Sequence, residues 1–398
     1  MQLPDAIATH LTTTVERTAP RVVQLSHEIH AEPELAFVEH RSAAKVQAVL
    51  ADAGFTVEPG VAELDTAFTA SYGNGELVLG LCAEYDALPD IGHACGHNII
   101  AAASTGAALA LRDLADDLGV TIRVLGTPAE ESGGGKQLML DAGIFDDVAM
   151  AAMVHPGVRE TCAPTSLACT DLRVTYTGRE SHAALAPHLG TNAADALTVA
   201  QVAIGLARQQ LEPGQLVHGY TSLGGSASNV IPARTAAEYL IRATNTESLD
   251  RLTARIGDCF RAGATASGAE LVLEHPAPTY ADLSPDSWLA QAYRTAIQAT
   301  GRTPLSPEEE RHAPTGSTDM GNVSRVIPSI HPTIAIDAGA AVNHQPEFTA
   351  ACVNASADRA VRDGALSLAH TAARAAHDSD QRVRLLTGVA QRRAGRGA

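Results

Sequence analysis

The sequence predicts an α/β protein whose parallel or mixed sheet is covered on both faces, with a smaller α+β domain inserted into it. Three observations lead there. Short apolar runs such as Leu77 to Cys82 (LVLGLC) alternate with helical segments, the pattern of strands buried on both faces. Between about residues 167 and 279 the order changes to β-α-β-β-α-β, the split ferredoxin-like arrangement. At 398 residues the chain is also too long for one typical compact unit.

Asp5 to Arg17 and Pro20 to Ile29 have helical periodicity, and Pro20 suits a first helical turn, where its missing N–H costs nothing. Ser42 to Ala53 is a third helix, stopped by Gly54. After the strand at Leu77 to Cys82, Asn98 is placed to cap the alanine-rich helix that follows. Thr121 to Leu125 reads as a strand, Lys136 to Ala142 as a helix and Val148 to Val154 as a strand. In the inserted region Asp171 to Thr177 alternates like a half-exposed strand. Asn192 to Leu211 is one long helix, with Asn192 its cap. Leu216 to Leu223 and Ala236 to Ala243 are strands, Glu247 to Ala266 a second long helix, and Glu270 to Glu274 a last strand. The larger domain then resumes with a helix at Ser287 to Thr300, a strand at Pro332 to Ile336 and a long helix from Ala350 to His377. The Arg- and Gly-rich end near residues 391 to 397 reads as a frayed tail.

The net charge of −17 argues against a nucleic-acid binder, which needs a basic face, and against polybasic membrane attachment. No run approaches the ~18 apolar residues of a membrane span, and the start of the chain has no secretory pattern. The six cysteines contain no C-x-x-C pair and form no disulfide framework. A soluble cytoplasmic protein is expected. Only two of the 28 cations are lysines, Lys45 and Lys136, which reads as a coding bias.

Metal-ligand residue types cluster where the predicted strands end, the edge at which open α/β sheets bind ligands. Glu84, Asp86 and His93-Ala94-Cys95-Gly96-His97 follow the first buried strand. Glu130-Glu131 follow the next, His155 the third, and His344 the last. A thiolate, imidazoles and a carboxylate suit Zn²⁺, with Mn²⁺ or Co²⁺ as alternatives. Each residue alone also has a plain structural reading: a buried small hydrophobe for Cys95, a hydrogen-bonded histidine for His155 or His344, a solvated loop for Glu130-Glu131. Adjacent carboxylates on a loop permit a division of labour, one ligating while the other moves the proton of a water acidified by the metal. In a two-metal site the Cys95 thiolate could bridge.

These residues resemble the dinuclear zinc aminoacylase and carboxypeptidase family, in its amidohydrolase branch of hippurate, indole-acetyl-amino-acid and aminobenzoyl-glutamate hydrolases. The resemblance runs from IHAEPEL at residues 29–35 to VNHQPEF at 342–348, through EYDALP, HACGH, GTPAEE, SHAALAPHLGTNAADAL and SNVIPARTAAEYLIRA. It implies a zinc-peptidase-like catalytic domain over 1–166 and 280–398, and a lid and dimerisation domain over 167–279. It implies Cys95, His97, Glu131, His155 and His344 as ligands of two divalent ions, and Glu130 as general base and acid. Asp86 would orient a ligand from outside the coordination sphere. His182 matches a lid histidine that stabilises the oxyanion, often in the partner subunit's site. Asn229 and Arg242 match substrate-contacting lid residues. Leu240 replaces the acidic residue usual before that arginine, so a plain strand-surface role for Arg242 stands beside the first. Asn98 replaces the branch's usual Asp and brings the chain closer to aminobenzoyl-glutamate hydrolases and dipeptidase-like relatives. The implied function is metal-dependent hydrolysis of small N-acyl amino acids or aminobenzoyl-glutamate-like amides by a homodimer. A dipeptidase is the alternative, and a catalytically silent metal-binding homologue is the reading from another class.

Two motifs are discounted. His27-Glu28-Ile29-His30 lacks the i, i+4 histidines of H-E-x-x-H, and Gly133-Gly134-Gly135-Lys136 lacks the phosphate-loop form and reads as a flexible turn. Thr315 to Met320 (TGSTDM) reads as loop, with Ser317 and Asp319 lining a pocket or capping the next helix.

Overall fold

The computed structural model describes residues 3–313 and 316–396, and these divide into two compact units. Thr315 of TGSTDM and the two residues at each terminus lie outside the described residues. One unit runs up to Thr165 and resumes at Leu283; the other is Ser166–Asp282.

The first unit opens with α1 (Asp5–His30) and α2 (His40–Asp52), then β1 (Thr56–Pro59), β2 (Phe68–Tyr72) and β3 (Leu77–Ala83). It continues through α3 (His97–Arg112), α4 (Ala115–Leu118), β4 (Val120–Gly126), α5 (Gly135–Asp141), β5 (Val148–Ala152) and β6 (His155–Gly157). The inserted unit holds β7 (Ala168–Thr177), α6 (Ala193–Ala207), β8 (Leu216–Leu223), β9 (Arg234–Ala243), α7 (Thr246–Ser267) and β10 (Glu270–Glu274). The first unit then resumes with α8 (Ser287–Ala299), α9 (Pro307–Arg311), α10 (Met320–Val326), β11 (Ser329–Ile330) and β12 (Thr333–Ala335). It closes with α11 (Pro346–Ala351), α12 (Ala355–His377) and α13 (Ser379–Arg396).

The main sheet has the order β1-β2-β4-β3-β5-β11. β4, β3, β5 and β11 are parallel, while β1 and β2 add an antiparallel edge. The sheet is therefore mixed. A two-stranded parallel ribbon, β6 with β12, lies beyond it in the chain. Because β3, β4 and β5 run parallel, the segments leaving their carboxyl ends emerge on one edge. α3 is buried from His97 through Leu111, and its many alanines and glycine let α1 and α12 approach closely. The inserted unit is an antiparallel sheet, β10-β7-β9-β8, with α6 and α7 packed on it around Val174, Tyr176, Ile241, Leu252 and Phe260.

Five local expectations are corrected. Pro20 lies inside one continuous helix, α1, and does not start a second. Pro20 and Glu16 are both exposed, so the carbonyl that loses its partner faces water, while Leu11, Val15, Val22, Leu25 and Ile29 form an unbroken buried stripe. Asn98 does not cap α3: the helix starts one residue earlier, and Gly96 at φ 72° precedes it. The Asn98 amide is buried instead, donating to Ser26 Oγ at 2.8 Å and to the Cys352 carbonyl at 3.0 Å. Residues 192–211 are not one α-helix: Asn192 does cap α6 through the Ala194 amide, but α6 ends at Ala207 and gives way to a 3₁₀ turn, Arg208–Gln210. Ala350 to His377 breaks because Asn354 caps α12, accepting from the amides of Ser356 and Ala357. The C-terminal stretch is α13, not a frayed tail. Leu385 and Val389 are buried, and the Arg382 guanidinium donates to the carbonyls of Leu118 and Gly119. β1 and β2, which periodicity did not reveal, complete the antiparallel edge.

Candidate metal centre

The carboxyl-edge segments bring the sequence-selected donors of the first unit together. His97 opens α3 and is fully buried. Its Nδ1 lies 2.9 Å from Asp86 Oδ1, and the other Asp86 oxygen accepts the Glu131 amide at 2.9 Å. Asp86 thus fixes both the tautomer of one donor and the backbone of another, leaving the His97 Nε2 lone pair turned away from it. Around that Nε2 stand Glu84 Oε2 at 3.6 Å, Glu130 Oε2 at 3.8 Å and Glu131 Oε1 at 3.9 Å. Cys95 is buried, and its Sγ is 3.0 Å from His344 Nε2; His344 Nε2 is also 3.5 Å from Glu131 Oε2. The His155 ring meets the His97 ring edge-on at 5.8 Å, and its Nδ1 lies 2.7 Å from the Pro156 carbonyl.

Among the described residues, three groups have donor atoms within 4.8 Å of one another: Cys95, His97 and His155; Cys95, Glu131 and His344; and Glu84, His97 and Glu130. Cys95 is common to the first two. His97 Nε2, Glu131 Oε1 and Glu84 Oε2 are buried without a hydrogen-bond partner among the described residues. Converging buried lone pairs on S, N and O atoms fit a borderline-soft divalent cation, which is what such donors would otherwise lack. The first two groups together hold all five residues selected as ligands.

The loop that carries the carboxylates is held in a strained form. Ala129 has φ 59°, its amide donates to the buried Glu39 carboxylate at 2.9 Å, and its carbonyl accepts from the amides of Gly133 and Gly134. His344, at φ 68°, is pinned by its amide to the Ala94 carbonyl at 3.0 Å. Gly96, between Cys95 and His97, has φ 72°, and a side chain there would meet the Pro156 ring at 2.5 Å. Burial and then the neighbouring Glu84 and Glu131 carboxylates hold the Glu130 carboxyl well above its ordinary range. Burial, reinforced by His97, drives His155 down to about 4, so it is a neutral imidazole at neutral pH.

His182, Asn229 and Arg242 belong to the inserted unit. His182 is exposed, and its Nδ1 accepts from the amides of Ala184 and Leu185, both at 3.2 Å. In the neutral ring the proton is then on Nε2, which is a donor. Asn229 is exposed beside it, its carbonyl accepting the Ala183 amide. Arg242 is half-buried on β9, and its charge acts on Asp171 of β7.

Sequence reasoning misread two residues here and missed a third. Lys136, taken for part of a flexible turn, is fully buried between Glu84 and Asp319. Asp319 therefore neither lines an open pocket nor caps α10 with its side chain. His331 is buried with its ring 5.4 Å from His155. The rarity of lysine was the signal for Lys136; nothing in the sequence marked His331. The discounted HEIH segment is structural: His27 pairs with Asp358 at 2.8 Å and His30 with the Thr349 carbonyl at 2.9 Å.

A mixed α/β sheet with Cys, His and Glu donors at the carboxyl edge defines a metallohydrolase of the amidohydrolase and peptidase type. The chain belongs to peptidase family M20/M25/M40, whose model it matches over residues 80–372. It is 37% identical over 374 residues to the Xaa-Arg dipeptidase of Mus musculus, covering 90% of this chain and 86% of that protein. It is 32% identical over 281 residues to a p-aminobenzoyl-glutamate hydrolase component of Escherichia coli, covering 65% and 57% respectively. Among solved structures, the aminobenzoyl-glutamate utilization protein of Klebsiella pneumoniae shares the fold at a TM-score of 0.73 and 19% identity, covering 91% of this chain and 98% of that one.

Proposed function

We propose that this chain hydrolyses small N-acyl amino acids or aminobenzoyl-glutamate-like amides at a centre of two divalent ions. The observation that carries the reading is Cys95 shared between two donor groups, with Glu130 3.8 Å from His97 of the first. Cys95, His97, Glu131, His155 and His344 hold the ions, zinc or manganese, with cobalt also suited to the donors. When bound, the ions polarise the scissile carbonyl and acidify water. Glu130 accepts the proton of the attacking water and returns it to the departing amine. Asp86 keeps His97 oriented. His182 donates from Nε2 to the developing oxyanion, and Asn229 and Arg242 contact the substrate.

A dipeptidase is the second reading. The specific observation in its favour is the broader and higher similarity to the Xaa-Arg dipeptidase, 90% of the chain against 65% for the aminobenzoyl-glutamate hydrolase component. Parallel assays of N-acyl amino acids, aminobenzoyl-glutamate and dipeptides with added Mn²⁺ or Zn²⁺, read by mass spectrometry, separate the two. Free amino acid is expected from at least one class, and the ranking of kcat/KM assigns the substrate. A folded, metal-loaded protein that cleaves none of them is a silent homologue, and the reading fails.

The working form is a cytoplasmic homodimer paired through the inserted unit. β8 is an edge strand with Leu216, Tyr220 and Leu223 exposed. α6 lies against it through a Gln201–Thr221 hydrogen bond and exposes Val199, Val202 and Leu206. An unpaired edge next to an apolar helix stripe supports self-association across a two-fold axis. Sedimentation should give twice the 41.2 kDa chain mass, and Val202→Glu should shift it to one chain. A wild-type monomer at micromolar concentration would remove the dimer from the reading.

A further inference from the structure

Glu84 follows β3 directly and is fully buried, yet none of the roles above uses it. Its Oε1 is 2.5 Å from the Lys136 ammonium, whose side chain is also fully buried. Lys136 is itself fixed twice by Asp319: its Nζ lies 2.6 Å from Oδ1, and its backbone amide donates to Oδ2 at 3.0 Å. The lysine therefore cannot follow Glu84 elsewhere without abandoning a buried carboxylate.

The second Glu84 oxygen points the other way. Oε2 lies 3.6 Å from His97 Nε2, and neither atom has a hydrogen-bond partner among the described residues. Both also stand in one group with Glu130, all donor atoms within 4.8 Å. A buried Lys–Glu pair serving stability alone should satisfy its remaining oxygen with a protein donor, because a bare carboxylate oxygen is costly in the interior. Here that oxygen faces lone pairs. The Lys136 ammonium pairs with Oε1 of this carboxylate and leaves Oε2 turned toward the other donors. A negative oxygen aimed at imidazole and carboxylate lone pairs needs a cation among them.

We propose that Glu84 is a further carboxylate of the metal centre and that Lys136 is the residue that positions it. This rests on the metal-centre reading above and adds a residue to it. Lys136 touches neither substrate nor reacting atoms; it acts through Glu84, with Asp319 as its anchor. The arrangement also explains why one of only two lysines in the chain is buried.

The test is metal binding by the full chain after chelator stripping. Zn²⁺ affinity is read by competition with a chromophoric chelator, and Co²⁺ loading by its visible spectrum. Glu84→Gln preserves shape and is expected to lower affinity about 10- to 100-fold and to change the Co²⁺ spectrum. Lys136→Met should lower affinity similarly, and Glu84→Gln/Lys136→Met should bind no more weakly than Glu84→Gln alone, since one residue works through the other. Affinity losses that add in the double variant would overturn the positioning role. Wild-type affinity and spectrum in Glu84→Gln, with Glu131→Gln impaired, would overturn the role of Glu84. If Glu131→Gln also binds normally, the metal-centre reading itself falls. Should Lys136→Met not fold, the Glu84→Gln comparison still decides the role of Glu84 and the double variant that of Lys136, by whether it matches Glu84→Gln.

Discussion

Glu130→Ala is expected to lower kcat about 10²- to 10⁴-fold while the metal content stays at the wild-type level, a loss of roughly 3–5 kcal/mol of transition-state stabilisation. The separation of the two effects follows from the donor groups. The five proposed ligands fall in the two Cys95-centred groups; Glu130 is in neither and stands in the third group with Glu84 and His97. Its carboxylate stands 3.8 Å from His97 Nε2, close enough to serve a water held there. Without the ions, burial and then the neighbouring Glu84 and Glu131 carboxylates raise the Glu130 carboxyl. A raised carboxyl pKa means that ionising Glu130 costs the folded chain stability as pH rises past the unfolded value, so in chelator-stripped protein Glu130→Ala should not lower Tm at neutral pH. Elemental analysis and a turnover assay on loaded enzyme, with calorimetry on the stripped chain, check these statements. Full turnover in Glu130→Ala would end the general-base assignment; lost metal with lost turnover would make Glu130 a ligand.

The donors were legible in the sequence because each lies within a few residues of a buried apolar run. Parallel strands deliver such residues to one edge, so Cys95, His97, Glu131 and His155 could be grouped with no knowledge of the strand order. Features fixed by contacts distant in sequence were not legible. Lys136 has the surroundings of a glycine-rich turn, and its burial is made tolerable by Glu84 and by Asp319, the latter 183 residues away. Asn98 has the residue type of a cap, but its partners Ser26 and Cys352 come from α1 and from the turn before α12. The end near residues 391 to 397 read as a frayed tail because it is rich in Arg and Gly. Two arginines of α13 instead satisfy distant carbonyls, Arg392 that of Val148 in β5 and Arg382 those of Leu118 and Gly119. In each case local propensity was correct about the side chain's chemistry and uninformative about its partner.

The backbone that presents the carboxylates is constrained enough for one methyl group to disable it. Gly135 opens α5, and a Cβ at that position would fall 2.0 Å from the Pro128 carbonyl oxygen and 3.0 Å from its carbon. Pro128 precedes Ala129-Glu130-Glu131 directly. The clash is with backbone on both sides, and neither side is free to yield. The loop is tied to β3 by the Thr127 amide on the Ala83 carbonyl at 2.8 Å, and to Glu39 through Ala129. The helix is tied by Lys136 to Asp319 through both its amide and its ammonium. Gly135→Ala is therefore expected to displace the loop, destabilise the chain by about 1–3 kcal/mol and cut kcat/KM on the order of a hundredfold, with metal retention falling as well. The comparison is Gly205→Ala in α6, where a Cβ meets nothing within 4 Å and the helix should gain about 0.5–1 kcal/mol. Both variants add the same methyl group, so the contrast isolates the close approach of α5 to the carboxylate loop. Wild-type metal content and turnover in Gly135→Ala would show that the loop can reposition both carboxylates, and the rigidity argued from Ala129, Thr127 and Lys136 would not hold.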